Sequence, residues 1–138
     1  MRGEYTAHHV NEPAEARRAV ERAVTEHCRA HGTRCDRTAF HDALLVASEL
    51  TTNAILHGGG VTDFRVDLVD LVEPGLRLSV SDRSERLPVL TEPGERRDHR
   101  RFGGHGWPIV CRLARDVEVS VLPAGGKRIS AVVPLTDA

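Results

Sequence analysis

The sequence predicts an α+β chain built as a two-layer α/β sandwich, with helices covering one face of a mainly antiparallel sheet. Three observations predict it. Two early segments carry apolar residues at helical spacing, two central segments alternate apolar and polar residues around a Pro-Gly turn, and the closing segment repeats that alternation around Ala124-Gly125-Gly126. All of this fits one domain spanning residues 1–138, a length that allows a substantial core.

Pro13 suits a first helical turn, because the donor it lacks is not needed there. Ala16, Ala19, Val20, Ala23 and Val24 then recur on one side until Gly32 interrupts the pattern. A second helix is expected from near Asp36, with Phe40, Ala43, Leu44, Ala47, Leu50, Ala54 and Ile55 on its buried side and Gly58, Gly59 and Gly60 as its stop. DFRVDLVDL (63–71) and GLRLSVSD (75–82) alternate as half-buried strands do. Pro74-Gly75 joins them as an antiparallel hairpin. The charged loop RSERLPVLTEPGERRDHRRFGG (83–104) has no periodicity, WPIVCRLAR (107–115) returns to helix, and VEVSVLP (117–123) with KRISAVVPL (127–135) closes the chain as a second hairpin.

Charge is nearly balanced, with 19 Lys and Arg against 20 Asp and Glu and a net charge of −1. That argues against binding nucleic acid through bulk electrostatics. Aromatic residues make up 4 % of the chain, too few for single-strand stacking platforms. Cys28, Cys35 and Cys111 are odd in number and suggest no disulfide framework, so reduced thiols and a cytoplasmic setting are expected. No apolar run approaches a membrane span.

The most informative stretch is SELTTNAILHGGG (48–60), in which Glu49, Asn53 and His57 step four residues at a time beside the apolar face. A carboxylate and an amide one turn apart can supply a general base and an oxygen ligand for Mg²⁺. The same spacing also describes a solvated helix side with a histidine near its C-terminus. In GGHGWPIV (103–110) glycines run into a helix start, which lets backbone N–H groups approach phosphate, or simply makes a hinge. Asp82 ends a strand, where it can accept an exocyclic amine or cap a turn. Arg96, Arg97, Arg100 and Arg101 crowd the loop as a triphosphate clamp, a docking surface or a solvated run. His27, Cys28, His31 and Cys35 match no structural zinc spacing.

Taken in order, these features resemble the GHKL-type, or Bergerat, ATP-binding domains, and within them the small serine/threonine kinase anti-sigma factors of bacteria. SELTTNAILHG is the most specific part, matching that family's N box, and the resemblance runs from Pro13 to Pro134. It implies a Bergerat-type fold with a mainly antiparallel mixed sheet. It implies ATP and Mg²⁺ as cofactors, Glu49 as catalytic base, Asn53 as the Mg²⁺ ligand and His57 near the phosphates. Asp82 would read adenine, Gly104, His105 and Gly106 would hold phosphate, and Lys127 and Ser130 on the last hairpin would complete the nucleotide contacts. The implied partners are a sigma factor and an anti-anti-sigma protein of the STAS type, with homodimerisation and no direct nucleic-acid or membrane contact. A catalytically weak adaptor that binds nucleotide and acts through protein contacts is the alternative. Three features depart from the family. The run 82–88 contains no glycine where the family usually has them, Trp107 stands where leucine is frequent, and His105 where arginine is frequent.

Overall fold

The first helix, α1 (Pro13–His31), is fastened at its start by Glu15, whose carboxylate accepts from the Asn11 N–H at 2.6 Å and the Glu12 N–H at 3.2 Å. These two bonds satisfy amides that precede the first intrahelical donors. Gly32, in the left-handed conformation at φ 62°, ends the helix. The second helix, α2 (Arg37–His57), starts at Asp36, whose carboxylate accepts from the Ala39 N–H at 2.9 Å. It stops at Gly58, whose N–H still reaches the Ala54 carbonyl at 2.9 Å. The computed structural model describes residues 6–32, 36–70, 73–86 and 106–135.

Five strands form one sheet: β1 (Thr6–His8), β2 (Val61–Asp70), β3 (Pro74–Asp82), β4 (Arg115–Val121) and β5 (Lys127–Pro134), in the order β1-β2-β3-β5-β4. The sheet expected to be mainly antiparallel is so, and every pair among the described residues is antiparallel, with no parallel pair among them. Both expected hairpins are present, as β2–β3 and β4–β5. β1 was not expected, because three residues are too few to show alternation. α3 (Gly106–Leu113) precedes β4 and packs against α2.

Register divides the sheet into two unlike faces. Phe64 opposes Val80, which opposes Ile129, and Val66 opposes Leu78, which opposes Ala131. All six are buried and form one core with Val20, Val46, Leu50 and Val110 from the helices. Removing most of a side chain such as Leu50, 1 % exposed, would cost about 2–5 kcal/mol. The opposite face is polar: Ser79 bonds Ser130 at 2.9 Å, Arg128 Nε donates to Ser81 at 3.3 Å, and Arg65 pairs with Asp63 at 2.6 Å.

Among the described residues no helix is long and apolar enough to cross a membrane. The expectation of three reduced cysteines is corrected. Cys28 on α1 is disulfide-bonded, while Cys111 on α3 is free and burial pushes its thiol above the usual range.

Candidate functional site

The candidate residues gather along α2 and just beyond its C-terminus. Helical geometry places Asn53 about 6 Å and Glu49 about 12 Å before His57 along the axis. Leu50 and Ala54, their neighbours in sequence, are fully buried, whereas Glu49 and Asn53 are half-buried and His57 is exposed. The strip therefore lies on the flank of a helix whose other side is fixed in the core. Such a flank positions side chains rigidly and still leaves them accessible, which a metal-binding amide and a general base both need.

Beyond His57 the chain is knotted to the sheet. Arg83 N–H donates to the Gly58 carbonyl at 2.9 Å, and the Arg83 guanidinium donates to the Gly59 carbonyl at 2.8 Å. Asp82, the last residue of β3, shares the inward face with Leu78 and Val80. Its carboxylate accepts the Ser84 N–H at 2.9 Å and forms an ion pair with Lys127 Nζ at 2.8 Å. Both charged side chains are 3 % exposed. Two glycines make this approach feasible. A Cβ on Gly58 would lie inside the Asp82 carboxyl group, and one on Gly126 would strike the Asp82 carbonyl oxygen. Gly126 also holds φ at +86°, where glycine alone is comfortable.

The family described as a histidine kinase-like ATPase domain matches residues 10–132. The chain belongs to this family. Its fold of three helices on an antiparallel sheet is the one expected of a GHKL-type ATPase domain, and membership implies ATP binding. Comparison with curated proteins finds no match.

Within this histidine kinase-like ATPase domain the candidate residues separate into three groups. Glu49, Asn53 and His57 share the α2 strip, and Asp82 and Lys127 meet at its end. Ser130 is set apart, on the opposite face of the sheet and hydrogen-bonded to Ser79. Gly106 opens α3, whereas Gly104, His105 and the arginines at 96, 97, 100 and 101 lie outside the described residues. Trp107, half-buried, packs against the core, and its indole N–H is buried with no acceptor among the described residues. A cleft of about 500 Å³ between α1 and Phe40, lined by Arg18, Arg22, Arg29, Glu21 and Glu26, includes none of these residues.

The two halves of the site fit an ATP–metal ligand unequally. No group of three or more His, Cys, Asp or Glu among the described residues could hold a metal. A cation here would rest on an amide oxygen, phosphate oxygens and water, the donor set that suits Mg²⁺. The α2 strip with Asn53 supplies that amide. At Asp82, the residue expected to read the base, the carboxylate already has a strong donor from within the chain. Sequence reasoning named both Asp82 and Lys127 but missed their pairing. The signal lay in position: one ends an alternating segment and the other begins one, so a direct β3–β5 pairing sets them opposite each other.

Proposed function

We propose that this domain is an ATP- and Mg²⁺-dependent serine/threonine protein kinase of the anti-sigma type, which sequesters a sigma factor and phosphorylates an anti-anti-sigma antagonist. The observation that carries the reading is the pair Glu49 and Asn53, one turn apart on an accessible flank of a core-anchored helix in a histidine kinase-like ATPase domain. Glu49 would accept the proton of the antagonist hydroxyl as that oxygen attacks the γ-phosphorus, and ADP would leave with the bridging oxygen. Asn53 would hold Mg²⁺, which supplies charge neutralisation on the phosphates. Rigid attachment of α2 to the core serves positioning, the main protein contribution to such transfers. His57, at the exposed end of the strip, would lie beside the phosphates.

Incubation with γ-labelled ATP, Mg²⁺ and the cognate antagonist tests this. Label is expected on a serine or threonine of the antagonist with the wild type and not with Glu49→Ala. Absence of label with the wild type, or equal label with the variant, would count against it. The second reading is a nucleotide-binding adaptor that acts by protein contact without transfer. The engagement of Asp82 by Lys127 favours it.

A further inference from the structure

The Asp82–Lys127 pair has a chemical meaning that its stabilising role does not exhaust. A carboxylate recognises a base amine by accepting an N–H at about 2.8–3.0 Å. Lys127 Nζ already supplies an N–H donor to Asp82 Oδ2 at 2.8 Å. The ammonium is positively charged, so it holds the carboxylate more strongly than a neutral amine can. It is held there by the fold: Lys127 is the first residue of β5, directly opposite Asp82 in the ladder, and both are 3 % exposed. Gly58 closes over the same carboxyl group from α2, and Ser84 N–H takes the other oxygen.

We infer that Lys127 is a specificity-determining residue whose ammonium takes the place of the base amine at Asp82, so that this chain binds ATP with little discrimination by the amine of the base. The inference rests on the ATP-binding reading above. Nucleotide affinity then comes from the phosphate and metal contacts along α2. A purine triphosphate bearing a keto group in place of the amine binds nearly as well. Lys127 acts by occupying an acceptor and takes no part in phosphoryl transfer. Replacing it by a residue without charge returns a buried, charged acceptor to the base.

Binding of ATP and of inosine triphosphate, measured by calorimetry with Mg²⁺ on the wild type and on Lys127→Thr, tests this. For the wild type the two dissociation constants are expected within about threefold of each other, well below the roughly tenfold that separates a charge-assisted from a neutral hydrogen bond. For Lys127→Thr, ATP is expected to bind about tenfold more tightly while inosine triphosphate does not. A wild type that prefers ATP tenfold or more overturns the inference and leaves the proposed function standing, even if the variant does not fold. So does a folded variant whose ATP affinity is unchanged or lower. A folded wild type that binds neither nucleotide overturns the proposed function itself.

Discussion

The flank of α2 and the knot beyond its C-terminus are neighbours with opposite physical characters. Glu49 and Asn53 are half-buried and His57 is exposed, whereas Asp82 and Lys127 are 3 % exposed and bonded to each other. Half-buried side chains on a helix flank stay within reach of a ligand. A buried ion pair cannot lose one member without stranding the other charge. The contrast teaches that a site can keep the half proposed to face phosphate within reach of a ligand while the half proposed to read the base is absorbed into the fold. Function at the first half and stability at the second should therefore be separable by mutation.

The largest expected effect breaks the comparison at the open end. Glu49→Gln keeps size and polarity but removes the proposed base, so transfer to the proposed antagonist should fall by about 10²- to 10⁴-fold. Unfolding free energy should change by less than the roughly 3–5 kcal/mol expected from stranding a buried charge. Single-turnover transfer and thermal unfolding on the same samples check both. A loss of stability equal to the loss of rate would show that the flank is structural after all.

The opposite result is expected at the closed end. Lys127→Met leaves the Asp82 carboxylate buried without its cation, which should cost about 3–5 kcal/mol in urea unfolding. Combining it with Asp82→Asn removes both charges together, and stability should return to within about 1 kcal/mol of the wild type or exceed it. If the double variant were as unstable as the single, the pair would not be acting as a pair. A smaller effect is expected from Gly58→Ala. Gly58 has φ −112°, so its backbone suits any residue, and the obstacle is the Asp82 side chain, its Cβ as well as its carboxyl group. That side chain must shift and its carboxylate move off Lys127 to admit the methyl, at about 1–3 kcal/mol. A raised unfolding midpoint, the usual gain from reducing glycine freedom, would mean that the pair adjusts freely.

The two halves also differ in how far the sequence reveals them. Pro13, Gly32, Asp36 and Gly58 mark the ends of α1 and α2 through local chemistry; helical spacing puts Glu49 and Asn53 on one strip, while their expected roles come only from the family resemblance. Alternation finds the strands of both hairpins, because each has one face in the core and one polar. It does not say which strand of the second hairpin lies beside β3. The sheet puts β5 there and sends β4 to the edge. The Asp82–Lys127 pair spans 45 residues and depends wholly on that choice. Ser130, three residues from Lys127 on the same strand, lies on the other face by alternation. The short β1 and the disulfide at Cys28 left no periodic trace.

The smallest effect sharpens the comparison by removing a background. Acid unfolding of the protein reports on carboxylates outside the candidate site, and Glu15 at the start of α1 is one of them. Its carboxyl is held below the usual glutamate range, chiefly by the bond from the Asn11 N–H and further by the Glu12 N–H and the Arg18 charge. A carboxyl depressed in the folded state stabilises above its unfolded value, and that contribution disappears as pH falls through the lower folded value. The wild type should therefore be more stable than Glu15→Gln at neutral pH, and the two curves should converge as acid protonates Glu15. Urea midpoints for both proteins across the acid range check this. Because Glu15 is only partly buried, the gap should also narrow in high salt. A gap that stayed constant from neutral to acid pH would show that the Asn11 and Glu12 amides are satisfied equally well by the uncharged side chain.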